Sequence, residues 1–204
     1  MSRVRTRPTR DETRDKLFEA AARVFEEQGI GGASVETVAA AAGFTRGAFY
    51  SNFKSMDELI IAMMEDHVDR SIRRNLDLLA QHSNIDDFLE ALKSLDRSKQ
   101  DPLGRAPLLH MEMILYVARA EKRRPELAKR LRARRKLVAD IVETTLKHSG
   151  KPDAVNPAWT GAILLALEDG FRLHRLIDPE TTPSDSFLRA VGDLRRAMGI
   201  IATS

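Results

Sequence analysis

Polar side chains suited to recognising a nucleic acid cluster within residues 34–54 of the chain. Arg46 is able to donate two hydrogen bonds to the edge of a guanine, and the hydroxyl of Thr45 suits a base or a phosphate. Tyr50 and Lys54 suit phosphate oxygens, which fix the register of a protein on DNA without reading its sequence. Glycine permits a close backbone approach, and serine and threonine add hydroxyl groups. The predicted nucleic-acid contacts are therefore Ser34, Thr37, Thr45, Arg46, Gly47, Tyr50 and Lys54.

Two short helices, 35–41 and 46–52, are predicted to position these side chains. Ser34 and Thr45 precede them and are residue types favoured at helix N-caps. Gly43 lies between the helices, where a tight turn needs a residue that adopts positive φ at little cost. This arrangement is a helix-turn-helix, whose second helix directs its first turn into the major groove. The small core between the two helices is predicted to contain Val38, Ala42, Phe44 and Phe49.

Composition narrows the remaining classes of function. The chain has 204 residues, 43% of them apolar, and it contains no cysteine. Disulfides, thiolate metal sites and cysteine nucleophiles are therefore excluded. The net charge of +3 permits a polyanionic partner without requiring one. Because no apolar run is long enough to cross a membrane, and the basic N-terminus lacks the apolar core of a secretory signal, we expect a cytoplasmic protein with no membrane partner.

Apolar residues recur at three- and four-residue spacing along nearly the whole chain, which predicts an all-α protein. Capping residues, glycines and prolines divide this pattern into about nine helices. Residues 101–104 are predicted to form a loop, and the arginines of the first ten residues an arm that reaches an adjacent minor groove. The predicted helices are approximately 10–28, 35–41, 46–52, 56–81, 85–99, 107–120, 125–148, 157–177 and 184–200.

A first helix, a glycine turn, the helix-turn-helix and the acidic start of a long fourth helix follow one another in TRDKLFEAAARVFEEQGIGGASVETVAAAAGF and TRGAFYSNFKSMDELI. Over residues 10–64 this order and spacing resembles the DNA-binding domain of the TetR (tetracycline-repressor) family. The resemblance implies a dimeric regulator, usually a repressor, on a near-palindromic operator in double-stranded DNA. It also implies a three-helix DNA-binding domain over residues 1–54 and a helical bundle for ligand binding and dimerisation over residues 55–204. In that family the typical DNA contacts are the positions that match Thr45, Arg46, Gly47, Tyr50 and Lys54.

An effector is expected to bind the C-terminal part, where the TetR family places its ligand. Residues 107–120 combine apolar bulk with methionines, whose side chains adapt to irregular shapes. A few polar groups in such an apolar wall would orient a ligand. A core helix with a polar outer edge explains the same pattern, and both interpretations stay open. The predicted ligand contacts are His110, Met111, Met113 and Tyr116, with Phe171 from a later apolar helix.

The last two helices carry the apolar residues of a predicted dimer interface. Residues 157–177 are apolar almost all round, which indicates burial on more than one side. An intramolecular core would give the same pattern, and the resemblance to the TetR family favours a four-helix interface with a second copy. A two-fold dimer would set two recognition helices about 34 Å apart on one face of DNA. The predicted interface residues are Trp159, Ile163, Leu167, Leu188, Val191 and Leu194.

The expected function is that of a ligand-responsive repressor with an unidentified small apolar effector and no cofactor. A ligand is expected to act through the long helix after Ser55, by changing the spacing between the two recognition helices. An enzyme built on a helical bundle is one alternative, but the sequence has neither a phosphate-binding glycine loop nor a nucleophile elbow. His110 and Glu112 lie too far apart around a helix to share a metal, so no metal site is expected. A helical interaction module or small-molecule-binding protein without specific DNA binding is the other alternative.

Overall fold

The computed structural model describes residues 9–82, 84–94, 102–122 and 124–199, and every regular element in these ranges is helical. The all-α prediction is therefore confirmed. A 3-10 turn, Ile30–Gly32, follows the first helix. The α-helices in the described ranges are α1 (Arg10–Gln28), α2 (Val35–Ala41), α3 (Arg46–Tyr50), α4 (Met56–Gln81), α5 (Ile85–Ser94), α6 (Pro102–Arg105), α7 (Pro107–Arg119), α8 (Arg124–His148), α9 (Pro157–Ile177) and α10 (Ser186–Ala197).

The short helix α6 was not expected, because its sequence suggested a loop. Proline is well tolerated in the first turn of a helix, since its fixed φ is already helical. Leu103 is 2% exposed, and its burial fixes this turn. The predicted continuation of α5 to residue 99 lies outside the described residues. The predicted extension of the last helix to about residue 200 was too long, because α10 ends at Ala197 with Met198 as its C-cap and Gly199 adopts a positive φ.

Two compact units make up the fold. The first contains the described residues of Met1–His67 and Arg97–Arg124, and the second those of Val68–Asp96 and Pro125–Ser204. The helix α4 contributes residues to both units. The predicted boundary between functional domains at residues 54 and 55 stays a prediction.

The core of the first unit forms around α1, which packs against α2, α6 and α7. Phe18 and Phe53 lie 5.7 Å apart between ring centroids, and Phe49 lies 5.9 Å from Phe53. These contacts join α1 to α3 and to the residues that follow α3. The largest fully buried side chains in this unit are Leu17, Phe25, Val38, Phe49, Phe53, Leu59, Ile60, Met64, Leu103, Met113 and Val117.

In the second unit, α9 crosses α8 closely at Gly161. A Cβ atom at this position would lie 3.0 Å from the backbone nitrogen of Ala139. Beside this crossing, Arg134 of α8 donates a hydrogen bond of 2.7 Å to Glu168 of α9, and Arg172 donates to the other oxygen of Glu168 at 3.2 Å. Both partners of the Arg134–Glu168 pair are nearly buried. The glycine and the ion pair together fix how these two helices cross.

Candidate nucleic-acid interface

The helix α2 begins with reciprocal hydrogen bonds between Ser34 and Thr37. The backbone nitrogen of Thr37 donates to the Ser34 hydroxyl at 3.1 Å, and the backbone nitrogen of Ser34 donates to the Thr37 hydroxyl at 2.9 Å. The Thr37 hydroxyl in turn donates to the Ser34 carbonyl at 2.8 Å. Each hydroxyl therefore satisfies an unpaired group at the helix start. A DNA contact by either residue must be compatible with this cap.

The turn between α2 and α3 depends on Gly43, whose φ is +72°. Its backbone nitrogen donates to the carbonyl of Ala40 at 3.0 Å, and that of Phe44 donates to the carbonyl of Ala39 at 2.9 Å. This pair of bonds is the Schellman motif, which closes a helix with a residue in left-handed conformation. Gly43 therefore ends α2 and directs the chain into the next helix, as the sequence predicts. Phe44 is only half-buried, so it contributes less to the mini-core than predicted.

The helix α3 has five residues and is held at both ends. The Thr45 hydroxyl accepts a hydrogen bond of 3.2 Å from the backbone nitrogen of Ala48 at its start. Near its end, the Asn52 side chain donates to the carbonyl of Ala48 at 2.9 Å. Phe49 is fully buried and anchors the inner face. The predicted contacts of this segment are all on the exposed side: Thr45, Arg46, Gly47, Tyr50 and, just after the helix, Lys54.

Arg46 makes two contacts that the sequence did not reveal. Its Nη1 atom lies 2.8 Å from Oε1 of Glu36 on α2. Its Nη2 atom donates to the Tyr50 hydroxyl at 3.4 Å, and the guanidinium lies 5.4 Å from the centroid of the Tyr50 ring. The hydrogen bond to Tyr50, with the charge of Glu36, raises the pKa of Arg46. Glu36 and Tyr50 thus orient the guanidinium in the absence of DNA. The sequence did not predict the pair with Glu36, because Glu36 and Arg46 lie ten positions apart on different helices.

Lys54 is exposed at the junction between α3 and α4. Its backbone nitrogen donates to the Glu58 carboxylate at 2.7 Å, and the backbone nitrogen of Glu58 donates to the Ser55 hydroxyl at 3.2 Å. These bonds cap α4 and fix the backbone that carries the lysine. Of the arginines of the predicted arm, Arg3, Arg5 and Arg7 lie outside the described residues, whereas Arg10 is the first residue of α1.

The predicted ligand contacts are divided between the two units. His110 and Met113 of α7 are buried in the first unit, and the His110 ring lies 4.4 Å from that of His67 on α4. The Tyr116 hydroxyl donates to the Asp57 carboxylate at 2.5 Å. Burial and this hydrogen bond raise the pKa of Tyr116 to about 12. Met111 is half-buried, and Phe171 belongs to the second unit, so the whole set stays a prediction.

The predicted dimer residues lie on two helices that pack together, α9 and α10. Trp159 is 69% exposed and Ile163 is 39% exposed, so α9 is less buried in a single chain than its sequence suggests. Val191 of α10 is buried, and Leu194 is exposed. The other two predicted residues, Leu167 and Leu188, are half-buried. Trp159 and Ile163 lie one helical turn apart on α9, and contiguous exposed apolar side chains are typical of surfaces that a partner covers.

Within the described ranges, no group of three or more histidine, aspartate or glutamate side chains is arranged to hold a metal ion. None of the described helices is both long enough and apolar enough to span a membrane.

Comparison with known proteins accounts for both parts of the chain. Residues 17–63 match the family model of bacterial regulatory proteins of the tetR family. Residues 85–197, more than half of the chain, match the tetracyclin repressor-like C-terminal domain. The chain belongs to the TetR family. The resemblance inferred from the sequence is therefore confirmed, and it covers the C-terminal domain as well.

Individual relatives match the chain over only part of its length. The chain is 31% identical over 134 residues to the uncharacterized HTH-type transcriptional regulator YfiR of Bacillus subtilis, covering 64% of this chain and 63% of that protein. It is 34% identical over 88 residues to the HTH-type transcriptional regulator TtgR of Pseudomonas putida, covering 43% of this chain and 40% of that one. The chain thus spans less than two thirds of the length of these relatives.

A solved TetR-family structure shares the fold. It is a putative TetR-family transcriptional regulator from Rhodococcus sp., with a TM-score of 0.71, 24% sequence identity, and coverage of 92% of this chain and 99% of that one. At this level of identity the likeness concerns the fold alone.

Proposed function

We propose that this TetR-family chain is a transcriptional regulator that binds an operator in double-stranded DNA as a homodimer. The observation that carries the proposal is the surface of α3. Arg46 and Tyr50 are exposed there, while Phe49 on the opposite side of the helix is fully buried. Exposed polar groups on a rigidly held short helix are what base and phosphate recognition requires. The other predicted DNA contacts, Ser34, Thr37, Thr45, Gly47 and Lys54, belong to the same helix-turn-helix segment.

Dimerisation through α9 and α10 is the second part of the proposal. Trp159 and Ile163 of α9 and Leu194 of α10 expose apolar surface that a second copy would bury. A two-fold dimer presents two copies of α3 and therefore reads a near-palindromic operator. This arrangement would account for the exposed apolar side chains on these helices.

Release of the operator by a small molecule completes the proposed role, which is that of a repressor in the cytoplasm. The helix α7 lies in the same compact unit as the helix-turn-helix and is hydrogen-bonded to the first turn of α4 through Tyr116 and Asp57. A ligand shifts the regulator between two states only by its difference in affinity for them. Contacts from α7 to α1 and α4 supply one route by which such a difference would reach the DNA-binding helices.

Selection from random double-stranded DNA tests the proposal directly. Purified protein is incubated with the library at a stated salt concentration, because phosphate contacts make affinity strongly salt-dependent. Enrichment of an inverted repeat is expected. Recovery of no motif, with weak salt-sensitive binding alone, would instead indicate an interaction module that retains the fold without specific DNA recognition.

A further inference from the structure

The second unit contains a cavity of about 620 Å³. Residues of α4, α5, α8 and α10 line it, and all of them belong to that unit. Pockets for drug-sized ligands typically measure roughly 300–1,000 Å³, so the volume suits one such molecule. The cavity lining includes none of the residues predicted from the sequence to contact ligand, which are His110, Met111, Met113, Tyr116 and Phe171.

Much of the cavity wall is apolar. Leu76 and Leu79 come from α4, Ile85 from α5, and Leu137 and Ile141 from α8. These side chains are exposed or half-buried in the described structure. A ligand with an apolar body would therefore remove apolar surface from water on both sides of the contact.

Arg195 of α10 is the buried charge at this cavity. It is 8% exposed, and its Nη1 atom donates to Oδ1 of Asp86 at 2.6 Å. Within the described part of the chain, its Nε atom is buried without a hydrogen-bond partner. A guanidinium presents five N–H donors in a planar fork, which a carboxylate matches with two parallel bonds. One carboxylate oxygen leaves most of that capacity unused.

Asp86 is a weak partner for this guanidinium. Its side chain is 67% exposed, so water competes for its charge. It also lies in the first turn of α5, where the helix N-terminus stabilises a negative charge without help from Arg195. When the pair opens, water can therefore solvate the exposed Asp86 carboxylate, whereas a buried Arg195 needs another anion.

The other ionisable groups of the lining do not compete for Arg195. Asp140 is held by Lys136, whose Nζ atom lies 2.9 and 2.8 Å from its two carboxylate oxygens. The Nδ1 atom of His148 donates to the carbonyl of Thr144 at 2.8 Å, and His82 contributes a second imidazole. Arg195 is thus the group that best distinguishes one ligand charge from another.

We propose that this cavity binds an apolar molecule bearing a carboxylate, and that the carboxylate replaces Asp86 on Arg195. The binding itself does not depend on the proposed function; the inference rests on that function only where it makes the bound molecule the effector of the regulator. Replacement would break the ion pair between α10 and α5. Because α10 belongs to the proposed dimer interface, binding in the cavity would act on a helix that positions the second copy.

The head-group preference of the cavity is measured with three probes that share one apolar body. Pyrenebutyrate, pyrenebutanol and pyrenebutylamine are titrated into the full-length protein, and the pyrene fluorescence is recorded. A dissociation constant about tenfold or more lower for the carboxylate than for the alcohol is expected, since a charge-assisted bidentate pair is stronger than neutral hydrogen bonds. Equal affinity for carboxylate and alcohol, or tightest binding of the amine, would overturn the inference.

Two substitutions with opposite expected effects identify the residues. Arg195→Gln should remove the preference for the carboxylate and leave alcohol binding unchanged. Asp86→Asn should tighten carboxylate binding, because it removes the competing anion while preserving shape. Arg189→Gln is the matched control, since Arg189 lies on the same helix but is exposed and pairs with Asp185. The same effect from Arg189→Gln as from Arg195→Gln would contradict the assignment.

Folding and DNA binding are checked separately. Circular dichroism and a thermal melt establish whether each variant is folded. If Arg195→Gln does not fold, the effect of Asp86→Asn on carboxylate binding tests the assignment instead. Operator selection with unliganded protein tests the proposed function. An operator motif without carboxylate preference would refute the inference alone, whereas carboxylate binding without a motif would refute the proposed function alone.

Discussion

The surface of α3 and the surface of α9 are both exposed, but different interactions determine their side-chain positions. On α3, Thr45 and Tyr50 make hydrogen bonds with residues three or four positions away. On α9, Trp159 and Ile177 are 69% and 78% exposed. The first surface is built by local bonds and is ready to meet a ligand, whereas the second acquires a defined environment only when something covers it. Local sequence is therefore a good guide to the caps and exposed positions of the first surface, although not to the Glu36–Arg46 pair, and a poor guide to the second surface.

The largest expected effect concerns the core beneath α3. Phe49→Ala should lower the free energy of unfolding by about 3–5 kcal/mol, because it leaves a cavity at a fully buried aromatic site. Chemical denaturation followed by circular dichroism measures the change. Tyr50→Phe is the control, since it removes only an exposed hydroxyl and should stay within about 0.5 kcal/mol of the wild type. An equal decrease in the free energy of unfolding of both variants would show that the stability of α3 does not depend specifically on the buried Phe49 ring.

Dimerisation is the next largest effect. Ile163→Asp should raise the dimer dissociation constant by roughly 30-fold or more, as expected when a charge replaces a central apolar contact. Analytical ultracentrifugation measures it. Leu115→Asp on α7 is the matched control, because Leu115 is also an exposed apolar residue, at 57%, outside the proposed interface. If both variants dissociate equally, α9 is not the interface.

Sequence recognition by α3 should depend on Arg46. Arg46→Ala is expected to weaken operator binding roughly tenfold to a hundredfold and to relax the preference at one base pair. Lys54→Ala should weaken binding to all sequences alike and make the salt dependence shallower. Competition titrations with operator and scrambled DNA separate the two patterns. If Arg46→Ala weakened binding to operator and scrambled DNA equally, Arg46 would instead be assigned to a phosphate contact.

Substitutions at helix caps should have smaller effects, and they allow a matched comparison between the helix-turn-helix and α9. Ser34→Ala and Asn156→Ala should each lower the free energy of unfolding by about 1 kcal/mol, because each removes a side-chain acceptor from a helix start. Only Ser34→Ala should also weaken operator binding, since α2 supports the recognition helix. Thermal melts and DNA titrations of both variants test this. Weakened DNA binding in Asn156→Ala would show that the cap of α9 influences recognition.

The smallest effect appears only at high pH. Burial and the hydrogen bond to Asp57 raise the pKa of Tyr116 from 10.0 to about 12 in the folded chain. The stability this contributes is therefore complete below pH 10 and is lost as the pH rises toward about 12. Spectrophotometric titration should show one late phenol, and Tyr116→Phe should remove it and leave Tyr50, the other tyrosine of the chain. Persistence of the late phenol in that variant would contradict this.

Features of the fold were predictable from the sequence when the residues that determine them lie close together along the chain. The bounds of α1, α2, α4 and α9 were predicted to within a residue, because caps and glycines encode them within four positions. The pairs Glu36–Arg46, Arg134–Glu168 and Asp86–Arg195 were not predicted, since each joins residues on different helices. The cavity beside Arg195 was missed for the same reason.

The ion pair between Glu36 and Arg46 has a consequence for counterions. Each phosphate that a protein neutralises on duplex DNA releases about 0.9 of a condensed cation, which sets the salt dependence of binding. If Arg46 leaves Glu36 to meet DNA, the freed carboxylate attracts cations back to the surface. The salt slope of the wild-type protein should then be shallower than its number of cationic contacts implies, and Glu36→Gln should steepen it.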